Sequence, residues 1–117
     1  MNRIYHLGTC DTCKRIIKKL DLPLGFQFQE IKKEPLTVKQ LEVLKQLAGS
    51  YEALFSRRAK LYKERGLKDE ILTEEDYKGF ILEHYTFLKR PVVVVEDQIF
   101  IGNSAKVVEA AYNTIHS

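Results

Sequence analysis

The opening segment of the chain constrains the topology of the whole fold. Ile4 to Leu7 is an apolar run inside a strand read over Arg3–Leu7, and its lack of alternation suits a central place in a sheet. Gly8 breaks the chain after it. Cys13, Ile16, Ile17 and Leu20 then recur at i, i+3, i+4 and i+7, one face of a helix, while Lys14, Arg15, Lys18 and Lys19 fall mainly off that face. Asp11 or Thr12 is placed to cap this helix. Asp21 to Gly25, with Pro23, reads as a turn, and Phe26 to Ile31 alternates apolar and polar with the period of a strand. Strand, helix and strand at this spacing make a βαβ unit, for which a right-handed crossover is expected.

Both cysteines lie where that first strand hands over to the helix, in Thr9-Cys10-Asp11-Thr12-Cys13-Lys14-Arg15. A thiol at a helix N-terminus faces unpaired backbone N–H groups and the positive end of the dipole. That setting lowers a cysteine pKa, and the thiolate is the reactive form. The spacing puts Cys10 at the helix mouth as the attacking thiol and Cys13 one turn inside, on the apolar face, as the resolving one. The chain of 117 residues suits a single domain, and a net charge of +3 suits an anionic small substrate or an acidic patch on a partner rather than direct nucleic-acid binding. No apolar run approaches the roughly 20 residues of a membrane span, and the N-terminus lacks the pattern of a signal peptide. The expectation is a cytoplasmic protein without a membrane role, in which two cysteines three apart are a redox pair rather than a structural staple. A zinc site would need His6 and His84 beside the cysteines, with no paired ligand spacing elsewhere, so no metal is expected. No Gly-rich phosphate loop implies a nucleotide cofactor either.

From Pro35 to Leu88 the periodicity is helical throughout, which reads as an insertion between two sheet-forming ends. Thr37-x-x-Gln40 is a capping-box pattern ahead of Leu41, Leu44, Leu47 and Ala48, stopped at Gly49. Ser50 is placed to cap a second helix carrying Ala53, Leu54 and Leu61, broken near Gly66. Thr73-x-x-Asp76 opens a third, with Tyr77, Phe80, Ile81 and His84 on one side. After Arg90-Pro91 the run Val92 to Val95 suits a buried strand, Glu96 to Gln98 a hairpin connection and Ile99 to Ile101 the returning strand. Gly102 to Ser104 turn into a last helix with Val107, Val108, Ala111, Tyr112 and Ile115 on its buried side. A strand-turn-helix thiol motif, a βαβ and a terminal ββα point to an α/β fold with a thioredoxin-like mixed sheet. The expected organisation is one such domain over residues 1–117, with the helical insertion at about residues 35–88.

Three pieces of sequence carry a resemblance: Tyr5-x-x-x-x-Cys10-x-x-Cys13-Lys14-Arg15, Ser56-Arg57-Arg58-Ala59-Lys60-Leu61-Tyr62 and Leu88-Lys89-Arg90-Pro91-Val92. In this order, around a helical insertion, they resemble the arsenate reductase-like family, which also contains the Spx-type transcription regulators. The resemblance implies a thioredoxin-like fold, Cys10 as nucleophile, Arg58 and Arg90 as oxyanion ligands, and a cis peptide bond before Pro91. Lys14 would add to the positive field. Arsenate reductases of the family carry a third arginine after the hairpin, where this chain has Gly102, and often lack the second cysteine, which Spx-type members have. The expectation is a thiol-dependent oxidoreductase whose Cys10–Cys13 dithiol acts on a disulfide or a small oxyanion. It would need no bound cofactor and would be reset by glutathione or by a glutaredoxin or thioredoxin system. The rival expectation is a redox-sensing regulator that binds the α subunit of RNA polymerase. In Spx-type regulators a glycine upstream of the matching arginine contributes to that contact, and Gly49 is the corresponding candidate here, although a helix-ending glycine accounts for it equally well. Spx-type regulators also tend to carry a basic tail after the last helix, which this sequence lacks.

Overall fold

The computed structural model describes residues 1–117. In chain order its elements are β1 (Asn2–His6), α1 (Asp11–Leu20), β2 (Gln27–Glu30), α2 (Val38–Ala48), α3 (Lys60–Glu64), α4 (Glu74–Glu83), β3 (Val92–Val95), β4 (Gln98–Ile101) and α5 (Ala105–Ile115). They form two compact units, one made of Met1–Glu34 with Arg90–Ser117 and the other of Pro35–Lys89. No helix is long and apolar enough to cross a membrane.

The first unit is a mixed sheet of order β2-β1-β3-β4. β1 pairs in parallel with β2, Ile4 opposite Phe28, and antiparallel with β3, Ile4 opposite Val93. β3 and β4 form the hairpin, Val93 opposite Phe100. β1 and the four-valine β3 are thus the two central strands, and all four valines are buried. Glu96 in the connection adopts a left-handed conformation, with φ of 56°. Ile4, Val93 and Val95 pack with Ile16 and Leu20 of α1, Val108 and Ala111 of α5, and Phe26. A fully buried leucine or valine contributes roughly 1.5–3 kcal/mol, so this layer anchors α1 and with it the turn that carries the cysteines.

Several sequence expectations change here. β2 buries Gln29 completely and leaves Phe28 51% exposed, the reverse of its apolar-in pattern. An edge strand has a neighbour on one side only, and the Gln29 amide is satisfied where it lies: Arg3 Nη1 donates to its Oε1 at 2.8 Å, and its Nε2 donates to the Glu34 carbonyl at 3.1 Å. Phe28 meets the His6 ring edge-on at 6.0 Å. In α5, Tyr112 is exposed rather than buried and lies against the His116 ring instead. Ser104 caps α5 through Val107 N–H at 3.2 Å.

The second unit is held by caps and by one aromatic cluster. Thr37 with Gln40 and Thr73 with Asp76 form reciprocal capping boxes at the starts of α2 and α4, and Gly49 ends α2 in the left-handed region. Phe55 lies at the centre of the cluster, stacked on Phe87 at 5.5 Å and touching Tyr62, Tyr77 and Phe80. The helix expected from Ser50 is only a 3-10 turn over Glu52–Leu54, with Ser50 Oγ accepting from Ala53 N–H at 3.1 Å. Phe55 then goes extended and bridges antiparallel to Leu88, so the chain gives up helix to bury the ring. His84 is not on the α4 face: it ends the helix in an extended conformation, and its Nδ1 accepts from Thr86 N–H at 3.0 Å.

Candidate functional site

Cys10 closes the strand-to-helix turn. Its N–H donates to the Leu7 carbonyl at 3.0 Å, and its own carbonyl accepts the first helical bond, from Lys14 N–H, at 3.1 Å. Cys10 itself occupies the N-cap position of α1, so neither Asp11 nor Thr12 is the cap; Asp11 is the first helical residue, where its charge complements the dipole. Gly8 leaves room within this turn for the end of β2: a Cβ there would come within 3.3 Å of Glu30 Oε2.

The two thiols are set apart by position. Cys10 is partly exposed and Cys13 is fully buried on the inward face of α1. Burial pushes the Cys10 pKa up, but four influences outweigh it: the Cys13 backbone N–H, the Cys13 thiol donating to the Cys10 sulfur, the Thr12 backbone N–H and the positive charge of Arg90. The net result is a thiol below its ordinary value. The two N–H groups do not make a capping hydrogen bond of standard geometry; they act on the sulfur as dipoles aimed at the anion. The same pairing works against Cys13. Burial first, then its hydrogen bond to Cys10 and the negative charge that Cys10 develops, push Cys13 up to about 11. Cys10 is therefore the more acidic thiol of the two, and Cys13 is the one that keeps its proton and donates it.

The Arg90–Pro91 peptide bond is cis, as the resemblance implies, and the Pro91 carbonyl accepts from Gly102 N–H at 2.9 Å. Arg90 is half-buried and its charge also reaches Cys13. Lys14 is exposed on α1, and the cation whose charge acts on Cys10 is Arg90. Burial lowers the His6 pKa, against the opposing pull of Glu30. Arg58 belongs to the helical unit, in the turn before α3, exposed and without a hydrogen bond or ion pair. Its neighbour Arg57 is tied down, donating to Glu52 Oε2 at 2.7 Å and to the Tyr77 hydroxyl at 3.0 Å. No cluster of three His, Cys, Asp or Glu side chains is arranged to hold a metal ion.

Two features of the site lie beyond the sequence reading. The Cys13-to-Cys10 hydrogen bond depends on how deeply Cys13 is packed, which the one-turn spacing does not fix. The approach of Glu30 to the cysteine turn comes from the β1–β2 register, which sets Glu30 opposite His6, and no local motif announces it.

Fold and thiol turn together define a class, a thioredoxin-like protein with a Cys-x-x-Cys pair at the mouth of its first helix. Within that class residues 5–111 match the ArsC family, and the chain belongs to it. It is 23% identical over 106 residues to the global transcriptional regulator Spx of Bacillus subtilis, covering 87% of this chain and 79% of that protein. It is 26% identical over 95 residues to an arsenate reductase of Yersinia enterocolitica, covering 78% of this chain and 66% of that one. In fold it is similar to an ArsC family related protein from Bacteroides fragilis, with a TM-score of 0.78, 24% identity and coverage of 94% and 96% of the two chains.

Proposed function

We propose that this protein is a thiol-dependent oxidoreductase that uses Cys10 and Cys13 as a dithiol on a disulfide or a small oxyanion. The observation that carries the reading is the asymmetry of the pair, a partly exposed Cys10 with a lowered pKa and a buried Cys13 that donates to it. The Cys10 thiolate attacks one sulfur of a substrate disulfide and expels the other half as a thiolate. Cys13 then gives up its proton and attacks the Cys10 sulfur, releasing the second half and leaving a Cys10–Cys13 disulfide. Two electrons have passed to the substrate, and glutathione or a protein dithiol of the glutaredoxin or thioredoxin kind returns them. Arg90 holds the anionic group beside the attacking sulfur. On the family resemblance alone, Arg58 is proposed as a second anion ligand, Lys14 as an auxiliary charge and Pro91 as a structural residue of the site. The proposed compartment is the cytoplasm.

A second reading is favoured by the likeness to Spx of Bacillus subtilis, which this chain matches over 79% of that protein's length, and by the paired cysteines. In it the dithiol is a redox switch on a regulator that binds the RNA polymerase α subunit, without turnover. Pull-down with that subunit, beside turnover assays on arsenate and on a glutathione mixed disulfide, decides between them. Turnover that is lost in Cys10→Ser is the expected result. Polymerase binding at micromolar affinity with no turnover overturns the enzyme reading.

A further inference from the structure

Helix stability does not account for the outer side of α1. Its exposed residues include Lys14, Arg15, Lys18 and Lys19, with Asp11 the only acid of the helix. None of the four cations joins an ion pair. Lys14 and Lys18 are i,i+4 neighbours, and so are Arg15 and Lys19, so like charges are stacked twice on a ten-residue helix. Such pairs oppose helix formation. Lys18 and Lys19 lie in the last turn, where the dipole favours cations; Lys14 and Arg15 lie nearer its positive end, where it does not. Half of this ridge therefore works against the helix that carries it.

We propose that the ridge is a docking surface for the acidic face of a protein dithiol donor, steering that donor onto the adjacent Cys10. This rests on the dithiol reading of the Cys10–Cys13 pair. Lys14 to Lys19 spans about 7.5 Å of helix axis, and the long side chains widen it, which suits carboxylates spread over a protein surface better than one compact anion. A compact anion is better matched by Arg90, the half-buried cation that acts on the sulfur itself. A nucleic acid would match the charge but brings no sulfur to Cys10. In the docked pair, one donor thiolate attacks Cys10 of the Cys10–Cys13 disulfide, and Cys13 leaves as a thiolate and takes a proton. The second donor thiolate then attacks the donor's own sulfur in the mixed disulfide and frees Cys10. The donor leaves as a disulfide, and two electrons have entered this protein. Opposite charge across such a surface raises the encounter rate and makes it fall with salt.

The test measures reduction of the oxidised full chain by a thioredoxin of net negative charge and, in parallel, by uncharged dithiothreitol, over about 20 to 300 mM salt. The expected result is a thioredoxin rate that falls about tenfold across the series while the dithiothreitol rate stays flat. Arg15→Glu/Lys18→Glu/Lys19→Glu, and separately the milder change of all three to Gln, should bring the low-salt thioredoxin rate down to the high-salt one without altering reduction by dithiothreitol. A salt-independent thioredoxin rate, or a salt dependence that both variants retain, overturns the docking surface and leaves the dithiol reading standing. A random-sequence DNA duplex that binds the ridge while thioredoxin reduction ignores salt reassigns the surface and equally overturns the proposal. If dithiothreitol releases no pair of thiols from the oxidised chain, the dithiol reading itself has failed.

Discussion

The two units perturb their ionisable groups by different means. In the sheet unit Cys10, Cys13, His6 and Tyr5 are shifted; burial is the largest single influence on each, and at Cys10 hydrogen bonds and the Arg90 charge together reverse it. In the helical unit the shifted groups are Arg57, Arg65 and Glu83, and each owes its shift first to a hydrogen-bonded ion-pair partner at the surface. Burial alters the reactivity of a group held in one place; a surface pair only ties down a charge that water would otherwise solvate. A displaced pKa therefore marks a group set among packed neighbours in the first unit and one fastened by an ion pair in the second, and only its cause tells the two apart.

The sharpest way to break this contrast is to remove the Cys10 sulfur. Cys10→Ser should lower thiol-disulfide turnover by about a thousandfold or more, measured on a glutathione mixed disulfide; retained turnover would move the chemistry elsewhere. Phe55→Ala should empty the centre of the aromatic cluster, at about 3–5 kcal/mol. Urea unfolding monitored by far-UV circular dichroism reads that loss, and an unchanged midpoint would deny the cluster its structural role. Cys13→Ala should cost less but act on both terms of the pair. Cys10 loses its thiol donor, so its pH-dependent alkylation profile moves to higher pH.

Stability against pH sharpens the same point. An ordinary cysteine ionises near 9, whereas folded Cys13 keeps its proton to about 11. Between those limits the unfolded chain gives up a proton that the folded chain retains, so the contribution is whole below pH 9 and falls as pH rises through the window. The wild type should lose stability across that interval more steeply than Cys13→Ala, and parallel curves would show that Cys13 does not hold its proton across it. Arg90→Ala should slow Cys10 alkylation at neutral pH by a few-fold, since one of the influences lowering its pKa is gone; an unaltered profile would make Arg90 a structural residue. The smallest effects separate two adjacent arginines. Arg57→Ala should cost about 0.5–1 kcal/mol or less and leave anion affinity intact. Arg58→Ala should leave stability within about 0.5 kcal/mol and weaken oxyanion binding, read by titration with arsenate against thiol reactivity.

What the sequence made legible was what local chemistry decides. Thr37 with Gln40 and Thr73 with Asp76 carry the capping-box signature ahead of an apolar helix face, and both boxes formed. Val92 to Val95 had little alternative to a central strand. The misreadings share another cause. Alternation in β2 says which residues share a face but not which face is covered, and the covered one holds Gln29 rather than Phe28. The Ser50 helix and the place of His84 were decided by Phe55 and Phe87, which lie far apart in sequence and stack in space. In the site, the thiol turn was visible as a pattern, but the proton shared between the sulfurs depends on how deeply Cys13 is packed, which spacing alone leaves open.

Gly102 has a bearing on how such a protein diverges from its relatives. Its φ is 94°, in the region where side-chain-bearing residues are strained, although nothing lies within 4 Å of where its Cβ would be. Arginine at this position, as the arsenate-reducing branch has it by resemblance, would find ample room but an inhospitable backbone, at roughly 1–2 kcal/mol. Moving between the two kinds of site is thus not a single exchange of one residue for another. The exchange carries backbone strain with it, borne either by the arginine or by a shifted turn.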